Sequence, residues 1–266
     1  MRSGNPTLSA NTFRERCLDG NAMTLNGTVH KTALLLIGLI ATAAITWRRT
    51  MLTEDPSSLY PYLIVGVIGG LVVGLITVFK KEWSPVTAPL YCVLQGLFLG
   101  IVSAIFEQKF PGIVFQAVSL TFGTLASLLL AYQTGLIKAT ENFKLGVTAA
   151  TGGIMMIYLI NFVMSFFGSG IPYIHESGTF GILFSLFVVV IAALNLVLDF
   201  DFIENGVEQK APKYMEWYAA FGLLVTLIWL YIEILRLLAK MRSLGNFDNT
   251  TILNPIYYPG STDISN

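Results

Sequence analysis

Seven long apolar segments between Thr32 and Leu238 constrain the fold of this chain more than any other feature of its sequence. A helix needs about 20 mostly apolar residues to cross the roughly 30 Å of hydrocarbon in a bilayer. Only 12% of the residues are charged and 54% are hydrophobic, whereas a soluble domain carries about twice that charge. The pattern predicts an all-α polytopic membrane protein, a bundle of seven transmembrane helices. We expect these helices at about 30–47, 60–80, 85–107, 111–133, 145–168, 178–201 and 214–240.

The polar stretches at the two ends of the chain bound a single transmembrane domain. We place a polar N-terminal segment at residues 1–28, the seven-helix domain at 29–242 and a polar C-terminal tail at 243–266. The lipid bilayer is therefore the first predicted partner. The formal net charge is zero, and nucleic-acid binding calls for a basic patch or stripe, so we expect no nucleic-acid partner.

Lysine and arginine are distributed unevenly over the connecting segments. If the N-terminus is inside, ten of them lie in inner segments and six in outer ones. The positive-inside rule then predicts a cytoplasmic N-terminus and an external C-terminus. The inner group is Arg2, Arg14, Arg16, Lys31, Lys80, Lys81, Lys138, Lys144, Lys210 and Lys213, and the outer group is Arg48, Arg49, Lys109, Arg236, Lys240 and Arg242.

Small residues recur at four-residue spacing in two neighbouring helices. Helix 2 carries Gly66, Gly70 and Gly74, and helix 3 carries Gly96 and Gly100. Small faces of this kind let helix backbones approach closely in lipid, where hydrophobicity does not drive association. We interpret these glycines as packing positions of a tight bundle.

The motifs of several chemically defined classes are missing from the sequence. It contains neither a Gly-x-Ser-x-Gly elbow nor a His-Glu-x-x-His pair, so hydrolase chemistry has no evident nucleophile or metal. We predict that the protein is not an enzyme and has no resident cofactor. Helix 7 has Lys213 before it and Lys240 at its end with no lysine between them, which excludes a retinal Schiff base there.

An acidic pair, Asp199 and Asp201, stands at the end of the sixth apolar segment. Carboxylates at the edge of a membrane-embedded bundle are costly unless they meet a partner, water or an ion. Residues two apart differ by about 200° around a helix, so at most one of the two faces the bundle if the helix continues through both. The pattern is consistent with two interpretations. One acid has a functional role inside the bundle, or both are solvated at a helix end that is exposed to water.

Two further carboxylates lie in or beside apolar segments. Glu107 lies at the end of helix 3 beside Lys109, and a solvated helix end would account for it. Glu233 lies within the apolar stretch of helix 7, and Arg236 follows at i+3. A local ion pair or snorkelling to the interface would account for Glu233 without a functional role.

Four motifs resemble those of a known family, both in their residues and in the helices on which they lie. Helix 6 ends in Leu198-Asp199-Phe200-Asp201, followed by Asn205-Gly206. Helix 7 contains Ala219-Ala220-Phe221-Gly222-Leu223-Leu224-Val225-Thr226 and closes on Leu235-Arg236-Leu237-Leu238, and helix 3 carries Gln95-Gly96. On these motifs the chain resembles the Bax inhibitor family, the transmembrane Bax inhibitor motif proteins, and particularly its bacterial branch. The resemblance covers most of helices 1 to 7.

The resemblance implies six helices around a central helix 7 and a pH-sensitive calcium leak, in which aspartates on helices 6 and 7 share a proton. Asp199 matches the first aspartate. Thr226 stands in place of the second, and Gln95 stands in place of a glutamate of helix 3. A hydroxyl can bond to a carboxylate but cannot share an ionisable proton with it near neutral pH. The paired-aspartate switch is therefore not expected in this chain.

The resulting prediction is a cation pathway, conducting calcium as a transient substrate, in a bacterial inner membrane. Asp199 would line its inner mouth, with Lys80 and Lys81 as candidate counter-charges. The residues assigned to ion passage or pH sensing are Asp199, Asp201, Thr226, Glu233 and Gln95. The alternative is a non-conducting membrane protein that regulates a partner, such as a membrane protease or a cell-death protein.

Overall fold

A computed structural model of the chain describes residues 22–53, 56–167 and 178–253. Within them the chain forms seven helices that are long and apolar enough to cross a membrane, which confirms the predicted all-α, seven-helix class. The helices are α1 (Leu25–Leu52), α2 (Ser57–Phe79), α3 (Ser84–Lys109), α4 (Ile113–Gln133), α5 (Glu141–Phe166), α6 (Thr179–Glu208) and α7 (Met215–Leu253). We call the side of the membrane at which α1 begins the N-side, and the side at which α1 ends the C-side.

Helices α1 and α5 begin several residues earlier than their apolar pattern predicts, because a threonine caps each of them. The Thr24 hydroxyl accepts a hydrogen bond from the Gly27 amide at 3.1 Å, and the Thr140 hydroxyl accepts one from the Phe143 amide at 3.3 Å. Such a cap satisfies one of the amide groups that the first turn of a helix leaves without an intrahelical partner. As a result α1 begins at Leu25 and α5 begins at Glu141.

The sixth helix is longer than predicted, and this changes the depth of its acids. It was expected to end at residue 201, but α6 continues to Glu208. The Asp201 carboxylate lies 2.8 Å from the Lys144 ammonium of α5, and its own helix supplies Asn205, whose amide donates to it at 3.0 Å. Polar residues can therefore extend the helix beyond its apolar part.

The seventh helix also runs further than its predicted end at residue 240. It continues to Leu253, into the predicted polar tail, and Pro255 follows shortly afterwards. Helices usually end at or before the residue that precedes a proline, so the position of this end is expected once the helix passes residue 240. The rest of the predicted tail lies outside the described residues.

Helix α7 is the core of the bundle. In its most apolar window 61% of the residues are buried, against 17% for α4 and for α5. It packs against α1, α3, α4 and α6, whereas α2 packs chiefly against α3, and α5 against α6. The central position that the resemblance implied for helix 7 is therefore present, but four helices rather than six surround it closely.

The glycines of α2 and α3 lie at close helix contacts, as their spacing predicts. A Cβ atom on Gly66 would lie 3.0 Å from the Leu94 carbonyl oxygen of α3, and one on Gly96 would lie 2.7 Å from the Leu39 carbonyl oxygen of α1. Helix α3 is thus held tightly between α1 and α2. This packing fixes the position of one wall around α7.

Candidate functional site

The site builds up around Asp199, whose side chain is completely buried. Because α6 continues to Glu208, Asp199 lies about 14 Å from the N-side end of the helix at 1.5 Å per residue. The neighbouring residues Leu198 and Phe200 are buried as well. Asp199 is therefore a carboxylate inside the bundle, not one of two acids at a wet helix end.

Thr226 lies at a matching depth on the central helix. It is about 16 Å from the start of α7 at Met215, at 1.5 Å per residue, and it is 3% exposed. Its hydroxyl donates to the Gly222 carbonyl oxygen at 3.3 Å. Helices α6 and α7 pack against each other, so the two positions that the resemblance pairs are both buried at similar depths.

Asp201 lies at the α5–α6 interface and is 20% exposed. Its carboxylate is bound to Lys144, which also approaches Glu141 at 3.6 Å. The helical geometry predicted that only one acid of the pair would face the bundle, and that acid is Asp199. Asp201 instead joins α5 to α6.

One turn before Asp199, α6 carries a buried polar residue that sequence reasoning missed. The Asn195 side-chain amide donates to Thr151 Oγ1 of α5 and to the Ile191 carbonyl oxygen, both at 2.8 Å. Its Oδ1 atom is buried and has no hydrogen-bond partner among the described residues. The spacing Asn-x-x-x-Asp, which places the two side chains on one helix face, was the signal that could have identified it.

Beyond Asn195 the α5–α6 interface becomes apolar. Ile154, Val188 and Ile191 form a buried cluster, against which Trp229 of α7 packs. No polar side chain of α6 lies between Ser185 and Asn195 in the sequence. This buried cluster, which we call the apolar seal, lies between the polar residues near Asp199 and the C-side.

Glu233 lies on the far side of this seal and is 2% exposed. Its Oε1 atom accepts a hydrogen bond from the Tyr158 hydroxyl at 3.0 Å and one from Arg236 at 3.1 Å. The i+3 pair that the sequence suggested is therefore formed. Glu233 also borders a cavity of about 360 Å³ that Lys240 lines from two turns further along α7.

The other sequence-predicted residues lie elsewhere in the bundle. Gln95 packs at the α2–α3 interface, where a Cβ atom on Gly70 would lie 2.6 Å from its Nε2 atom. Lys81 lies with its ammonium 5.8 Å from the centre of the Tyr218 ring at the start of α7. Lys80 is exposed. Among Gln95, Lys80 and Lys81, Lys81 is thus the residue whose charge lies over an aromatic ring of the central helix.

Sequence reasoning also missed Glu216, a fully buried carboxylate in the first turn of α7. It accepts hydrogen bonds from the Thr24 amide at 2.9 Å and from the Thr24 hydroxyl at 2.8 Å. Lys213 lies 2.7 Å from it, and Lys31 forms a second ion pair with it. This cluster joins the start of α1 to the start of α7. The presence of Lys213 at i−3 was the local signal for it.

The carboxylate and amide oxygens of Asp199, Asn195 and Glu233 are ligands of the kind that calcium prefers. They are distributed along the bundle and do not form a cage. Across residues 22–53, 56–167 and 178–253, no group of three His, Cys, Asp or Glu side chains is placed to hold a metal ion.

Comparison with known proteins supports the sequence resemblance. The sequence model of the family described as Bax inhibitor 1 like matches residues 5–243, which include all seven membrane-spanning segments. No curated protein matches the chain at the significance required, and no solved structure does so either.

Proposed function

The chain belongs to the Bax inhibitor 1 like family, and on this premise we propose that it conducts cations, chiefly calcium, across a bacterial inner membrane. The observation that carries the proposal is the complete burial of Asp199 at about 14 Å depth in α6. A carboxylate in a membrane-embedded bundle is expensive and commonly marks an ion or proton pathway.

The polar atoms around α6 support a route for the ion from the N-side. A cation that reaches Asp199 meets Asn195 one turn further on, where a buried oxygen is available for coordination. Thr151 lies at 2.8 Å from the Asn195 amide and adds a hydroxyl. Oxygen ligands of this kind can replace part of the hydration shell of calcium.

In the proposed pathway this conformation is the closed one. The buried cluster of Ile154, Val188 and Ile191 lies between Asn195 and the C-side, and hydrophobic constrictions can gate channels by dewetting. Conduction therefore requires α5 and α6 to separate at this cluster. Beyond it, Glu233 is the next carboxylate that a cation would meet.

The test is calcium flux into proteoliposomes that contain only this protein. We expect Asp199→Asn to lower the flux at least tenfold, because two unit charges about 4 Å apart attract each other by roughly 4 kcal/mol near a protein surface, and 1.4 kcal/mol already corresponds to about tenfold. Asp201→Asn is the matched control, since it makes the same change two residues away, and it should not lower the flux because the ion pair that it removes holds α5 against α6.

Two outcomes would contradict the proposal in different ways. If Asp199→Asn conducts like the wild type while Asp201→Asn does not, the wrong acid has been assigned. If the wild-type protein gives no flux above that of empty liposomes in any ionic condition, the non-conducting regulator of a membrane partner becomes the better account.

A further inference from the structure

A cavity of about 360 Å³ opens at the C-side of the bundle between α3, α5, α6 and α7. Its charged lining comprises Lys109, Glu233, Arg236 and Lys240, and Tyr158, Ser185 and Ser243 add neutral polar groups. Three of these side chains are cationic and one is anionic, so the polar lining carries a net charge of about +2 at neutral pH. A positively charged cavity favours an anionic ligand.

Arg236 retains donors for such a ligand. A guanidinium group has five N–H donors; those of Arg236 donate to Glu233 at 3.1 Å and to the Tyr158 hydroxyl, which leaves others for a ligand. Its side chain is 47% exposed, and the guanidinium lies 5.9 Å from the centre of the Tyr158 ring. Glu233 and Tyr158 therefore hold the guanidinium at the cavity while part of it remains accessible.

The two lysines reach the cavity from different helices, Lys109 from the end of α3 and Lys240 from α7. The Lys240 ammonium is held at 2.8 Å from Ser185 Oγ and 3.1 Å from the Gly181 carbonyl oxygen, which positions it beside α6. Lys109, at the end of α3, is exposed and makes no ion pair with any residue that the structure describes. Three cations, two of them held by hydrogen bonds, thus border one cavity.

We propose that this cavity binds a phosphate group. The planar fork of arginine matches phosphate oxygens in pairs, and lysine adds point charges. A tetrahedral phosphate offers more acceptor oxygens than a carboxylate and can reach cations on two helices. Phe106, Phe110 and Phe184 form the apolar part of the lining, which suits the glycerol and acyl part of a phospholipid. The phosphate is either that of a lipid headgroup or free phosphate in solution. Glu233 lies both in this cavity and on the proposed ion route, but the three cations that favour phosphate do so whether or not the protein conducts ions.

The proposal can be tested by native mass spectrometry of the full-length, delipidated protein in detergent. One arm adds phosphatidylglycerol, a second adds diacylglycerol with the same acyl chains, and a third adds inorganic phosphate as a competitor of phosphatidylglycerol. We expect phosphatidylglycerol to bind more tightly than diacylglycerol by about tenfold or more, the factor that one hydrogen bond to a charged group accounts for. If inorganic phosphate displaces phosphatidylglycerol, free phosphate can itself occupy the cavity. If phosphatidylglycerol stays bound, the ligand is the lipid headgroup.

Three single variants locate the site. Lys240→Gln and Lys109→Gln should each weaken phosphatidylglycerol binding several-fold, and Lys109→Gln tests the cavity without breaking an ion pair of the fold. Arg242→Gln is the matched control, because Arg242 is also on the C-side but donates to the Pro111 carbonyl oxygen at 2.7 Å and to Gln116 at 2.9 Å. Equal binding of phosphatidylglycerol and diacylglycerol, or loss of binding only in Arg242→Gln, would overturn the proposal.

Discussion

At the scale of single residues, Asp199 and Thr226 occupy the two positions at which the resemblance implies a pair of aspartates. Both are buried, at 0% and 3% exposure, and they lie at depths of about 14 and 16 Å on adjacent helices. Where the resemblance implies two carboxylates, this chain has a carboxylate and a hydroxyl. Two carboxylates at such a place resist double ionisation and titrate as a pair, whereas a hydroxyl does not titrate near neutral pH.

The first prediction restores the missing acid. Thr226→Asp should give the calcium flux a proton-dependent transition between about pH 6 and 8, because two buried carboxylates would share one proton there. The wild-type flux should lack this transition. Thr226→Asn is the control of similar size without an acid. The measurement is flux against pH in proteoliposomes for the three proteins.

Glu233 is the one residue that could contradict this argument. It follows Thr226 on nearly the same face of α7, about 10.5 Å further along the axis, and its carboxylate is bound by Tyr158 and Arg236. That distance is too long for a direct hydrogen bond to Asp199. A neutral-pH transition already present in the wild type and abolished by Glu233→Gln would mean that Glu233 supplies the second carboxylate.

The second prediction concerns the cluster around Glu216. Replacing Glu216 by Gln removes the carboxylate that Lys31 and Lys213 share. Both lysines reach solvent, so the cost is that of lost hydrogen bonds to a charged group, about 1.5–3 kcal/mol. Glu216→Gln should therefore lower the midpoint of thermal unfolding in detergent by several degrees. Glu82→Gln is the matched control, because Glu82 is exposed on the same side of the bundle, and its midpoint should match that of the wild type. Equal midpoints for all three proteins would contradict a stabilising role for the cluster.

At the scale of helices, α3 holds α1 and α2 together through glycine contacts. Thr46 of α1 lies 3.4 Å from the Gly96 carbonyl oxygen, and Gly100 sits against the Ala43 carbonyl oxygen of the same helix. In lipid, such close contacts give van der Waals attraction that larger residues would prevent.

The third prediction compares two glycines of opposite environment. Gly100→Ala should destabilise the protein by about 1–3 kcal/mol, the usual cost of overpacking, because the added Cβ overlaps the backbone of α1. Gly152→Ala on α5 has nothing within 4 Å of its added Cβ, and it should be neutral or stabilise slightly because alanine favours helices over glycine by about 1 kcal/mol. Thermal unfolding in detergent distinguishes the two variants, and equal midpoints would show that the α1–α3 contact can relax.

The ends of the helices show what the sequence could and could not predict. Apolar length identified all seven helices in their correct order, since crossing hydrocarbon requires that length in any bundle. It could not predict that α6 reaches Glu208, because that extension depends on a contact between Asp201 and Lys144 of another helix. The same limit applies to the site: Asp199 and Glu233 stood out as charges beside apolar runs, whereas Glu216 depends on Lys31, which is distant in sequence.

At the scale of the whole molecule, the two sides of the bundle carry different charged groups. On the N-side, Glu216 is enclosed by Lys31 and Lys213, and Asp201 is paired with Lys144. On the C-side, Glu233 is paired with Arg236 beside Lys240 in the cavity. Asp199 belongs to the N-side half, since it lies on α6 about 14 Å from the end at Glu208. The direction from which a cation reaches Asp199 therefore depends on which side faces the cytoplasm.

The last prediction is that the N-side is cytoplasmic. Ten lysines and arginines fall on that side and six on the other, and short connections with more of these residues stay inside. A reporter that works only outside the cytoplasm should be active when it is fused after Asn266. At Leu136, between α4 and α5, a reporter that works only in the cytoplasm should be active. A C-terminal reporter that is active only in the cytoplasm, together with an external Leu136, would reverse the orientation. Asp199 would then be reached from outside the cytoplasm, and the proposed phosphate-binding cavity would face the inner leaflet.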